Sequence, residues 1–265
     1  MNREETNVEK ELFDLTGKVA LLTGASKGMG RAMAEALAIH GAKVMLSSRK
    51  IDGCLKAADE INARCGEDRV HGFACNAGYK DQLRALVDAT HDVLGPIDIL
   101  VGNAGVNPFY GPMSAIPDEA YDKIMSSNVK ANHWLVQMVA PDMVQSGSGS
   151  IMITSSVGAF GPSLELGTYG ISKLAVIGLV RNLAAELGPS GVRVNAICPG
   201  LIRTDFAAAL WNNPEAEANA KQTIPLRRLG EADDVKGLAV FLASDSSSYI
   251  TGQALTVCGG SNMWS

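Results

Sequence analysis

Seven short runs of apolar and β-branched residues, at 18–23, 43–47, 70–75, 97–101, 150–154, 192–197 and 254–257, recur along the chain, with amphipathic or alanine-rich helical stretches between most of them. Val19-Ala20-Leu21-Leu22 and Ile151-Met152-Ile153 are continuous apolar runs with no polar alternation. Strands of that kind are buried on both faces, as in a parallel sheet covered by helices above and below. The rhythm therefore predicts an α/β fold, a doubly wound seven-stranded parallel sheet with helices on both faces. A chain of 265 residues could hold one large α/β domain or two small ones. The nearest candidate boundaries, Ser146-Gly147-Ser148-Gly149 and Pro189-Ser190-Gly191, read as short turns delivering a strand and not as linkers. A single domain over 15–265 is expected, preceded by an N-terminal arm at 1–14, with no internal repeat.

The first strand runs directly into Thr23-Gly24-Ala25-Ser26-Lys27-Gly28-Met29-Gly30, followed by a helical run over 31–40. Glycines there permit a tight turn and a close approach of backbone to a phosphate, and the helix N-terminus offers unpaired N–H groups at a positive dipole end. A second strand about twenty residues further on completes the context of a dinucleotide-binding Rossmann fold. Gly24, Ser26, Lys27, Gly28, Met29 and Gly30 are the candidate phosphate-binding residues.

Composition removes other classes. The net charge is -5 with no basic run, which leaves no electrostatic footprint for nucleic acid or an anionic membrane. No apolar run reaches the roughly 20 residues needed to cross a bilayer. The charged start of the chain lacks the apolar core of a secretory signal, and the expectation is a cytoplasmic protein. Five dispersed cysteines without CxxC pairing suit reduced, mostly buried thiols. The four histidines, His40, His71, His91 and His133, have no ligand spacing, so no metal is expected; His133 alone has a helix position that could face a substrate.

Three further motifs follow the glycine turn in order: Asn103-Ala104-Gly105 after the fourth strand, Tyr169-Gly170-Ile171-Ser172-Lys173 in a helical run, and Pro199-Gly200 after the sixth strand. With the spacing Gly-x3-Gly-x-Gly after a threonine, these resemble the short-chain dehydrogenase/reductase family, from about residue 12 to 260. The resemblance implies an NAD(P)-dependent oxidoreductase acting between a ketone and a secondary alcohol. It also implies that Asn103, Ala104, Gly105, Tyr169, Lys173, Pro199, Gly200, Ile202 and Thr204 contact the nicotinamide cofactor. Where many relatives carry an aspartate beside the adenine, this chain has Asn76.

The second strand ends Ser47-Ser48-Arg49-Lys50, without the carboxylate that binds free ribose hydroxyls and repels a 2′-phosphate. Arg49 and Lys50, with Ser48 beside them, can pair with that phosphate. Lys27 stands where NADP-preferring family members often carry a cation. NADP(H) is therefore favoured; if Arg49 and Lys50 are only a solvated helix start, NAD(H) remains open.

Reduction of a ketone needs a proton donor, and a free tyrosine, with pKa about 10, exchanges protons poorly near neutrality. Lys173, four residues after Tyr169, falls on the same helix face and is expected to lower it. By the resemblance, Tyr169 is the general acid and base, Lys173 its tuner, and Asn128 the helix asparagine that supports a proton relay, with Asn132 its competitor. Ser155 and Ser156 both end the fifth strand; the family's separation of thirteen positions selects Ser156 as the carbonyl donor over Ser155.

Past the NAG motif, Val106-Asn107-Pro108-Phe109-Tyr110 lies where the family's substrate loop lies, and Phe160, Leu164 and Trp211 are possible lining of a moderately apolar pocket. Residues 203–230 read as a substrate lid or as an oligomer contact. The phrases around Arg49 and Asn107 most resemble NADP-preferring carbonyl reductases related to dehydrogenase/reductase member 4. The peroxisomal carboxyl-terminal tripeptide of some of those is not found in Met263-Trp264-Ser265. A 3-oxoacyl-carrier-protein reductase and a steroid or sugar dehydrogenase share the motifs, and a non-catalytic NADP sensor is the alternative from another class. The expected partners are a small carbonyl or alcohol substrate and three further copies of the chain in a homotetramer, pairing through the helix of the YxxSK motif and the last strand.

Overall fold

A computed structural model describes residues 12–211 and 213–263. Residues 1–11 of the expected arm, Asn212 of the expected lid, and Trp264 and Ser265 at the carboxyl end lie outside the described residues. All seven expected strands form: β1 (Val19–Thr23), β2 (Lys43–Ser48), β3 (Val70–Ala74), β4 (Ile99–Gly102), β5 (Gly149–Thr154), β6 (Val192–Pro199) and β7 (Ala254–Val257). They pair in parallel in the order β3-β2-β1-β4-β5-β6-β7. Between them run α1 (Gly28–Ile39), α2 (Ile51–Cys65), α3 (Lys80–Leu94), α4 (Asp118–Met125), α5 (Ala131–Ser146), α6 (Gly167–Leu187), α7 (Pro214–Thr223) and α8 (Lys236–Ala243).

The absence of polar alternation in the strands follows from this layering. In β1, Leu21 packs in one core with Leu83 of α3, Leu135 of α5 and Val176 of α6. Its neighbours Ala20 and Leu22 pack in a second core with Leu37 of α1, Ile61 of α2 and Val240 of α8. Successive side chains point to opposite faces, so both must be apolar, and each fully buried Leu or Ile contributes about 1.5–3 kcal/mol.

Strand ends move where a side chain takes a backbone partner. β4 starts at Ile99, two residues later than its apolar run, because the Ile97 N–H donates to Asp142 (3.0 Å) and the Asp98 carboxylate accepts from Val19 N (2.9 Å). β6 extends to Pro199 because β7 continues to pair beside it, Cys198 with Thr256 and Pro199 with Val257. From β1 the chain steps outward to β3 and then returns to β4 on the other side of β1. Loops leaving the carboxyl ends of β1 and β4 therefore diverge and open a crevice, the place where sheets of this topology bind ligands.

Asn195 inside β6 pins the adjacent edge: it is fully buried, donates Nδ2–H to Ile250 O (2.9 Å) and accepts from Gln253 N (3.0 Å). Asn195→Ala leaves both backbone groups without a partner at a cost of about 2–4 kcal/mol. The expected result in thermal denaturation is a midpoint lower by about 5–15 °C; an unchanged midpoint contradicts this role.

Candidate active site

At the crevice the glycine turn is packed too tightly for any other residue. Gly24 has a φ of +63°, and a Cβ there would come within 2.9 Å of the Ala104 backbone. A Cβ on Gly30 would collide with the Gly24 carbonyl and lie 2.6 Å from Asn103 Nδ2. Helix α1 then begins with no side-chain cap and no acidic residue in its first turn. Its leading N–H groups and positive dipole end remain available to an anion.

Asn103 holds this turn to the sheet. Its Nδ2 donates to Thr23 O (3.2 Å) and Gly24 O (2.9 Å), and its Oδ1 accepts from Thr154 Oγ1 at the end of β5 (3.2 Å). The N–H groups of Asn103 and Ala104 both donate to Thr23 Oγ1 (3.2 Å each). The amide is thus committed to the protein as a brace across β1, β4 and β5.

Beyond β2, Ser48 Oγ lies 3.2 Å from Cys54 Sγ, and Arg49 and Lys50 are exposed. Among the described residues no carboxylate pairs with either cation. Asn76 closes the next loop, its Oδ1 accepting from Gly78 N (3.2 Å). An uncapped helix start and a glycine cradle at the end of the first strand fit the pyrophosphate of a dinucleotide.

The second cluster joins β5, the start of α6 and a wide turn between α4 and α5. Ser155 is buried and donates to Lys173 O (2.7 Å), which commits it to helix α6. Ser156 turns the other way, accepts from Gly158 N (3.0 Å) and stands near enough to the Tyr169 phenol to favour its ionised form. Lys173 is buried, donates Nζ–H to Thr154 O (2.8 Å) and lies 5.6 Å from the centre of the Tyr169 ring. Gly105 faces it, with room for a Cβ only 3.4 Å from Nζ.

Asn128 sits in a single π turn, Ser126–Lys130, and is fully buried. Its side chain accepts from Val106 N (2.8 Å) and donates to Val106 O (3.1 Å) and Ser172 Oγ (3.0 Å). It therefore clamps the loop after β4 against α6. Asn132, the other candidate, is also buried, and its Nδ2 donates to Asn128 O (2.8 Å), a carbonyl of the wide turn.

One electrostatic expectation is reversed. Burial pushes the Tyr169 phenol up to about 12, with the Ser156 hydroxyl working against it and Tyr110 adding to it; Lys173 does not lower it. Burial also pushes Lys173 down to about 8, which leaves it mostly protonated near neutral pH.

A narrow crevice without room for a water-sized sphere adjoins Tyr169, lined among others by Asn107, Phe109, Ile116, Ile124, Leu166 and Thr168. The lining expected from sequence is largely elsewhere: Phe160 packs on the core, Leu164 is 91% exposed, and Trp211 stacks under Arg203 at 4.9 Å. His133 is exposed on α5 and takes no part in the lining. Ile116 and Ile124 were missed, and no spacing in the sequence signals either.

Residues 203–229 make an excursion closed at its base, where Ile202 and Gly230 pair, Arg203 N donates to Gly230 O (2.7 Å) and Gly230 N to Leu201 O (3.0 Å). Pro199 and Gly200 lead into it, Gly200 N donating to Val257 O (2.9 Å). Thr204 lies against Gly28, Asp205 pairs with Lys27 at 2.5 Å, and the Phe206 ring stands 6.0 Å from that of Tyr169. The excursion thus reaches both the glycine turn and the tyrosine.

Comparison with known proteins agrees with this geometry. Residues 24–262 match the family model adh_short_C2, described as enoyl-(acyl carrier protein) reductase. Dehydrogenase/reductase SDR family member 4 of Bos taurus is 42% identical over 248 residues, covering 93% of this chain and 88% of that one. A 7α-hydroxysteroid dehydrogenase solved with NADH and 7-oxo glycochenodeoxycholic acid superposes with a TM-score of 0.90 at 36% identity, covering 94% of this chain and 96% of that one. A gluconate 5-dehydrogenase from Burkholderia cenocepacia J2315, solved with NADP and tartrate, superposes with a TM-score of 0.90 at 29% identity, covering 95% and 98%. By topology and by sequence alike, this chain belongs to the short-chain dehydrogenase/reductase family of NAD(P)-dependent oxidoreductases acting on CH–OH and C=O groups.

Proposed function

We propose that this protein is an NADPH-dependent carbonyl reductase, with Tyr169 as its acid and base. The observation that carries the reading is the convergence of Ser156 at the end of β5 with Tyr169 and the buried Lys173 on α6, whose Nζ lies 5.6 Å from the centre of the Tyr169 ring. The bound cofactor supplies the hydride. Ser156 donates to the substrate carbonyl oxygen, and Tyr169 delivers the proton as the alkoxide develops, or removes it in the oxidation. A phenol raised to about 12 stays protonated near neutral pH, the state that reduction requires. Lys173 has one N–H on Thr154 O, and its remaining donors would hold the nicotinamide ribose. Asn128 positions, through Val106 and Ser172, the loop and helix that carry these groups.

For the cofactor, the unpaired Arg49 and Lys50, with Ser48 between them and the sheet, support a 2′-phosphate contact and hence NADP(H) over NAD(H). Lys27 can join them on releasing Asp205, and the excursion over 203–230 acts as the substrate lid. Ile202 and Thr204 at its root, with Asn76, Gly105 and Pro199-Gly200, complete the cofactor crevice. The free cysteines, three of them buried, support work in a reducing compartment such as the cytoplasm. Ile171 and Leu174 on α6, 42% and 53% exposed, support pairing of that helix in a homotetramer.

Each part has its own check. Tyr169→Phe is expected to cut NADPH-dependent ketone reduction by about 100- to 10,000-fold with NADPH affinity little changed; retention of more than about a tenth of the turnover contradicts the assignment. Arg49→Ala is expected to raise the KM for NADPH by about tenfold or more while leaving that for NADH nearly constant. An equal change for both cofactors removes the 2′-phosphate contact. Light scattering should give four chain masses in solution, and a monomeric mass overturns the assembly.

A further inference from the structure

Between the braces made by Asn103 and Asn128 lies a third buried amide. Asn132, the second residue of α5, is 5% exposed and donates Nδ2–H to Asn128 O (2.8 Å), the carbonyl four residues back. Its Oδ1 rests on the end of β4: a Cβ on Gly102 would collide with it, so the glycine before Asn103 leaves the space that this side chain fills. A side chain that bonds the carbonyl four residues back competes with the main-chain hydrogen bond at that place and distorts the helix. The π turn Ser126–Lys130, which contains Asn128, stands there. Single π turns inside helices are frequent at functional sites.

From this turn a directed chain of hydrogen bonds runs to the first turn of α6. Asn128 Nδ2 donates to Ser172 Oγ (3.0 Å), and Ser172 Oγ donates to Tyr169 O (2.7 Å). Asn128 and Ser172 are fully buried, and in such surroundings each bond polarises the next. We propose that Asn132 is a positioning residue for the reduction: by holding Asn128 O it keeps the π turn wide, and the wide turn sets Asn128 where it fixes Val106 after β4 and the backbone of Tyr169 on α6. The proposal rests on the reductase reading above and deepens it. Asn132 acts through Asn128 and not on the reacting atoms. An aliphatic residue of similar size would still fill the space over Gly102, but would leave Asn128 O to main-chain partners alone. The turn then closes towards a regular helix and carries Asn128 away from Ser172.

Valine and threonine have nearly the same shape, but only the threonine hydroxyl can bond a carbonyl three or four residues back. The test is kcat, with KM for NADPH and for one reduced ketone, in Asn132→Val and Asn132→Thr, each measured well below its thermal midpoint. Asn132→Val is expected to lower kcat by about 10- to 100-fold with the KM for NADPH nearly constant, because small misplacements of reacting groups are costly. Asn132→Thr is expected to return kcat to within about threefold of wild type, since its hydroxyl replaces the lost donor. Equal kcat in the two variants, high or low, overturns the proposal, because the hydrogen bond then plays no part. So does a defect of Asn132→Val confined to the KM for NADPH. If Asn132→Val does not fold, the smaller pair Asn132→Ala and Asn132→Ser makes the same comparison. These outcomes, in a wild type that reduces ketones, leave the reductase reading standing. Turnover of no ketone by wild-type protein that binds NADPH contradicts that reading, and the role of Asn132 falls with it.

Discussion

The amide of Asn103 is the fastening on which this site depends. It reaches from β4 to the backbone of the glycine turn and to Thr154 on β5, so three strand ends are set by one side chain. Without it two buried carbonyls of the turn lose a partner, at about 1–3 kcal/mol apiece. The glycines at 24 and 30 follow from the same constraint: the turn can approach Asn103 and Ala104 only where no Cβ intervenes. Thr154 also supplies the carbonyl that holds Lys173, so the cofactor turn and the proton-transfer cluster share one support.

That support explains a combination that would be unstable in isolation. Lys173 is buried with an apolar core at its back, and the Tyr169 phenol is withdrawn from water. Burial drives both towards their neutral forms, the tyrosine upward and the lysine downward. The expectation that lysine lowers tyrosine counted a charge and a helical spacing. It omitted desolvation, which a sequence does not display and which dominates here. The outcome is a protonated phenol beside Ser156, a weaker acid than a free tyrosine.

The sheet was legible because its strands are short, apolar on both faces and punctuated by glycine turns; all seven lie within two residues of their expected limits. The glycine turn, Ser156, Tyr169 and Lys173 were named from motifs in the order that resembles the family's, and the fold brings Tyr169 and Lys173 together beside the end of β5. Asn128 was legible as a residue, but its partners Val106 and Ser172 depend on a π turn that no spacing reveals. The lining beside Tyr169 was least legible. Leu164 reads as lining and stands in solvent, whereas Ile116 and Ile124 read as ordinary apolar positions and face the narrow crevice there. Loop geometry decides such cases, and it is settled by tertiary contacts such as Gly111 N to Glu165 O (3.0 Å) between two distant loops.

The central claim is that a hydride passes from the cofactor to a carbonyl carbon held at Ser156 and Tyr169. Incubating the protein with a ketone and NADPH carrying deuterium at the transferring position of the nicotinamide, then analysing the alcohol by mass spectrometry, tests this directly. The account predicts deuterium on the carbinol carbon, from one face of the nicotinamide only. Alcohol formed without deuterium from either face, or no alcohol at all while NADPH is bound, contradicts it.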